Sequence, residues 1–143
     1  YESSNRVVSM TIIYIHAFFA LSAIPVGLYI FLTKKGTKKH RLVGRIWVSL
    51  MLFIAFTALS ITSPMTGKLF NPGGFSWIHL LIPFTIGNLI YSIYSIRIFK
   101  KTKLEKHKNA HIRSMVGTYI GALLVAGAFT LTPGRIFHEI IFL

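Results

Sequence analysis

Six histidines are the residues in this chain with most chemistry to offer: His16, His40, His79, His107, His111 and His138. Four of them form two pairs matched in spacing. His16 lies 18 residues before Lys34 and His79 lies 18 before Arg97, about 27 Å along a helix in each case. His40 lies 24 residues before Pro64 and His111 lies 22 before Pro133, levels that agree to about 3 Å. The 143 residues contain no cysteine and three carboxylates, Glu2, Glu105 and Glu139. Thiolate metal sites, disulfides and haem attachment through C-x-x-C-H are therefore excluded. Zinc takes four ligands, usually with thiolate or carboxylate help. A haem iron needs only two axial ligands on opposite faces of a flat ring. Two facing histidine pairs thus point to two non-covalent, b-type haems stacked along one axis, a path for electrons.

The elements that must position these histidines are membrane helices. Hydrophobic residues make up 53% of the chain, yet the net charge is +13. Thirteen of the sixteen cations fall in two clusters. The first holds Lys34, Lys35, Lys38, Lys39, Arg41 and Arg45, and the second Arg97, Lys100, Lys101, Lys103, Lys106, Lys108 and Arg113. Long apolar stretches separate them, which argues against a nucleic-acid surface and for basic loops on one side of a bilayer. A span needs about 20 mostly apolar residues, and four segments qualify: 8–32, 43–63, 77–98 and 112–131. Pro64, the turn Asn71-Pro72-Gly73-Gly74 and Pro133-Gly134 mark their ends. Short loops give an all-α, up-down-up-down four-helix bundle over residues 1–143, one integral membrane domain. The positive-inside rule places both basic loops in the cytoplasm and both termini outside, with the lysines attracting anionic lipids. The chain opens on Tyr1, so the native N-terminus is expected to be missing or processed, and no cleavable signal peptide is visible.

In such a bundle helices 1 and 3 form one diagonal and helices 2 and 4 the other. His16 would face His79, and His40 would face His111. Ala20, Ala23 and Gly27 share a face with His16, leaving room for a porphyrin or for close helix packing. Gly44 lies one turn after His40, and Pro83 four residues after His79 is expected to kink helix 3. Arg41, Arg45 and Arg113 are placed for the propionates of an inner haem, and Arg135 for those of an outer one. The plainer readings differ. His40 and His111 sit beside basic flanks as interfacial polar residues would, and His16 and His79 could be interhelical hydrogen bonders. His107 lies among lysines and reads as solvated, His138 stays unassigned, and Met115 reads as packing rather than as an iron ligand. An internal repeat is faint: His40 precedes Gly44 and FTALSITSP, and His111 precedes Gly117 and FTLTPG.

The segments HRLVGRIW (residues 40–47), HIRSMVGTY (111–119) and AGAFTLTPGR (126–135) resemble a prokaryotic family of four-helix predicted membrane proteins, domain-of-unknown-function 2306. The resemblance covers nearly the whole chain and implies the plasma membrane of a bacterium. More distantly, the pairing of helices 1/3 and 2/4 resembles the core of cytochrome b561 and related two-haem membrane cytochromes. That likeness implies one haem on His16 and His79 and another on His40 and His111; no ascorbate-site or quinone-site motif accompanies it. The expectation is a membrane electron-transfer subunit with a redox partner protein or larger complex. The alternative is a haem-free accessory subunit that scaffolds a membrane assembly. A proton-coupled transporter fits less well, because the spans hold no carboxylate relay.

Overall fold

A computed structural model describes residues 2–61, 80–125, 127 and 136–142. Its elements are α1 (Glu2–Leu32), α2 (Lys38–Leu59), α3 (Leu81–Thr102), α4 (Glu105–Thr118), which runs on as a π-helix (Tyr119–Val125), and α5 (Ile136–Phe142). Among the described residues there is no strand. The helices fall into two compact units, Tyr1–Ile82 and Pro83–Leu143. Three helices, α1, α2 and α3, are long and apolar enough to cross a membrane.

The first unit is a helical hairpin closed by residues 33–37. The chain leaves α1 through Thr33, whose N–H donates to the carbonyls of Tyr29 and Ile30. The Lys35 ammonium covers the carbonyl end of α1, donating to Ile30 at 2.7 Å and Phe31 at 2.9 Å. A cation there answers the negative end of the helix, although partial burial holds Lys35 below the usual lysine pKa. Gly36 makes the turn at φ 81°, where a side chain would be strained. Thr37 then caps α2, its Oγ1 accepting from the His40 N–H. Small residues let the two helices approach: Ala23 is 0% exposed and Gly27 is buried. On α2, Trp47, Met51 and Ala55 are also buried. Trp47 Nε1 donates to the Ala23 carbonyl at 3.0 Å, so a polar tip that lipid could not satisfy is satisfied inside. Phe19 and Phe53 meet edge to face, centroids 4.7 Å apart. Of the two uses open to the small face after His16, at Ala23 the structure shows close helix packing.

The second unit joins α3 to α4 through Lys103 and Leu104 alone. Lys103 takes the left-handed position after the helix, φ 57°, and its N–H returns to the Phe99 carbonyl at 2.8 Å. Glycine usually fills that place. Thr85, Ser92, Ser95, Ser114 and Thr118 are buried here, while Ile90 and Tyr94 are 63% and 60% exposed. Polar hydroxyls inside and large apolar side chains outside invert the soluble pattern and suit helices bathed in lipid. On the π-helix, Gly121 passes beneath Phe84 of α3; a Cβ there would lie 3.0 Å from the ring.

Helix ends depart from the hydropathy windows in one direction at the basic end. Helix 2 begins at Lys38 rather than 43, helix 3 runs to Thr102 rather than 98, and helix 4 begins at Glu105 rather than 112. Charge stops a hydropathy window, but Lys, Arg and Glu are good helix formers. The helices therefore continue past the hydrocarbon until a cap or a left-handed residue ends them. Helix 1 likewise starts at Glu2, ahead of 8. Helix 2 ends at Leu59, with the Ser60 N–H donating to the Thr57 carbonyl and the Ile61 N–H to that of Ala58. Pro64, the turn at residues 71–74, the start of helix 3 at 77, and Pro133-Gly134 with the end of helix 4 lie outside the described residues.

Candidate functional site

His16 stands half-buried on α1, and its Nδ1 lies 2.8 Å from Oγ1 of Thr57 on α2. Thr57 Oγ1 also lies 3.0 Å from the carbonyls of Phe53 and Ile54. With its single proton on one of those carbonyls, Oγ1 accepts from His16 and Nδ1 carries the proton. In the neutral ring the lone pair is then on Nε2.

His111 on α4 repeats the arrangement within the second unit. Its Nδ1 lies 2.7 Å from Ser92 Oγ and 3.1 Å from the Ser92 carbonyl oxygen. A carbonyl only accepts, so Nδ1–H is again the donor and Nε2 keeps the lone pair. Ser92 Oγ also reaches back to the His111 carbonyl at 3.3 Å. Ser92 is 0% exposed, so the anchor is fixed by its surroundings. Among the described residues no hydrogen bond to Nε2 of His111 is seen, and the His16 ring also bonds the Ile54 carbonyl. Thr57 and Ser92 are the functional candidates that sequence reasoning passed over. A signal existed: each is a hydroxyl within a span, at the level of a histidine on the antiparallel neighbour.

His40 occupies the first turn of α2, half-buried. It shares a helix face with Trp47 and Met51, seven and eleven residues on. Gly44 borders that face, and a Cβ there would meet nothing within 4 Å. Arg41, Arg45 and Arg113 are exposed. Arg45 stands about 140° around α2 from His40 and lines a groove with Phe19 and Phe53. His107 is half-buried, its N–H bonded to the Leu104 carbonyl. Met115 is half-buried one turn after His111. His79, Arg135 and the side chain of His138 lie outside the described residues. His40 and His111 belong to different units. Among the described residues no three histidine or carboxylate side chains gather as a metal-binding group.

No curated protein and no solved structure matches the chain. The family described as predicted membrane protein (DUF2306) matches residues 13–141. Nearly the whole chain is covered, including both anchored histidines and three helices able to span a bilayer. The chain belongs to this family of predicted membrane proteins.

Proposed function

We propose that this protein is a b-type membrane cytochrome, a four-helix bundle that holds two haems by histidine pairs and passes electrons across the bilayer. His16 and His79 would ligate one haem, and His40 and His111 the other. The observation that carries the reading is the shared state of His16 and His111: Nδ1–H fixed on a hydroxyl or carbonyl of the neighbouring helix, Nε2 left with its lone pair. Ligating histidines depend on this kind of anchor, which sets tautomer and ring orientation and raises ligand basicity. One anchored histidine falls in each proposed pair.

Haem would supply the one-electron iron couple. The chain's own residues would do the rest. Thr57 and Ser92 aim the rings, the apolar helices exclude water, and Arg41 and Arg113 meet the inner propionates, with Arg135 at the other end. Arg45 is left out of this set because it faces the groove. The likeness to cytochrome b561 belongs to this proposal, as do a bacterial plasma membrane, cytoplasmic basic loops and a redox partner protein or complex.

A second reading has its own support. The same hydrogen bonds join α1 to α2 and α3 to α4, as interhelical glue would in a haem-free accessory subunit. The deciding experiment is a reduced-minus-oxidised absorption spectrum with pyridine haemochrome quantification on protein expressed with haem supply. The expected result is a b-type spectrum near two haems per chain. No haem in a preparation with intact helical circular dichroism overturns the cytochrome and leaves the scaffold.

A further inference from the structure

A groove on the first unit binds one anionic phospholipid, we infer, with its phosphate on Arg45 and an acyl chain along α2. The inference stands apart from the haem reading and rests only on the chain's place in a membrane. The groove is shallow, about 400 Å³, and is lined by Phe19, Arg45, Ile46, Ser49, Leu50 and Phe53. Arg45 is the ionisable residue of that lining. From Arg45 to Phe53 the groove rises about 12 Å along the helix, so it takes a length of chain and not merely a methyl group. Lys38 is seven residues before Arg45 and shares its face of α2. The lining is thus polar at the basic end and apolar above, the order of groups in a phospholipid.

Charge decides the kind of lipid. Residues 33–61 hold six cations and no carboxylate, so the protein offers Arg45 no counter-ion from its own helix. The cations that precede it on its own face of α2, Arg41 and Lys38, repel it. An arginine at this depth reaches toward the interface with its stem on apolar surface. There its planar guanidinium matches a phosphate in two-point fashion. The apolar lining by itself would not select a ligand, because lipid tails are as apolar as leucine. Selectivity must come from the headgroup, and it must favour net negative charge.

The test uses the full chain in detergent and native mass spectrometry, with phosphatidylglycerol or phosphatidylcholine of identical acyl chains. Retention of one phosphatidylglycerol in preference to phosphatidylcholine is expected. Arg45→Gln should weaken it roughly five-fold, the usual weight of one basic residue at an anionic surface. Ser49→Trp, which fills the groove, should displace the lipid with Arg45 intact. Lys106→Gln, which removes a cation of the second unit, should change nothing. Helical circular dichroism identifies variants that fail to fold, and Arg45→Lys serves if Arg45→Gln does. Glycerol phosphate that competes as well as the whole lipid would mean a bare phosphate site and would overturn the proposal. So would equal retention of the two lipids, a loss with Lys106→Gln as large as with Arg45→Gln, or a dimer whose mass shows a second chain in place of the lipid.

Discussion

Thr57→Val separates the two readings of His16. Valine keeps the shape of threonine and removes Oγ1, the atom 2.8 Å from His16 Nδ1. If that contact is only glue, its loss costs what interhelical hydrogen bonds in membranes cost, about 0.6 kcal/mol on average and about 1.7 at most. If His16 is a ligand, the loss also frees the ring to turn and to change tautomer. Partners of that kind are worth roughly 10–100-fold in metal affinity, or about 1.4–2.7 kcal/mol at 1.36 kcal/mol per tenfold. The assay is haem titration of apoprotein followed by redox potentiometry of each haem component. Thr57→Val should weaken and shift one component, the same one that His16→Ala abolishes. Thr57→Ser, which restores a hydroxyl, should bring it back. The other component should not move. A Thr57→Val protein with haem affinity and both potentials unchanged would refute the anchoring argument, even if haem itself is present.

Other consequences follow from the backbone and the helix contacts. Gly36→Ala forces a β-carbon into φ 81° and should cost about 1–2 kcal/mol in unfolding, while Lys103→Gly at φ 57° should stabilise by up to about 1 kcal/mol; chemical denaturation of both reads the opposite signs. Gly121→Ala drives a methyl to 3.0 Å from the Phe84 ring and should destabilise by about 1–3 kcal/mol. Adding Phe84→Leu should recover most of that loss. Trp47→Phe leaves the ring packing but removes the bond to the Ala23 carbonyl, so a loss of about 0.6–1.7 kcal/mol is expected.

Much of the architecture was legible because the bilayer imposes it. Apolar runs long enough to span, interrupted by two basic loops, can be read without a structure, and of the four expected spans α1, α2 and α3 are helices long and apolar enough to cross a membrane. The ends were less legible, because hydropathy registers where hydrocarbon stops and caps register where the helix stops. Thr37 capping α2 and Lys103 ending α3 are local backbone events that a charge count does not see. The use of Ala23 for close packing, with Trp47 bonded to its carbonyl, could not be chosen over a porphyrin wall from spacing alone. Small residues permit both. His16 and His111 were visible as histidines each matched in level with a second histidine, but their anchors were not. Thr57 and Ser92 look like any hydroxyl residues of a span until the register between antiparallel helices brings each beside a ring.

The energetics of those anchors bear on why the histidines are there at all. Thr57 does not need His16, since its hydroxyl already bonds the Phe53 and Ile54 carbonyls. Ser92 does not need the His111 ring, since its hydroxyl also reaches the His111 carbonyl. Each imidazole therefore brings one favourable bond, about 0.6 kcal/mol on average in a membrane. It also brings a second nitrogen, Nε2. An asparagine or serine at either place would tie the helices together without one. A histidine whose Nδ1 is held keeps a basic Nε2 that can bind an electrophile. Under the proposed cytochrome reading that electrophile would be a haem iron, which takes two such nitrogens.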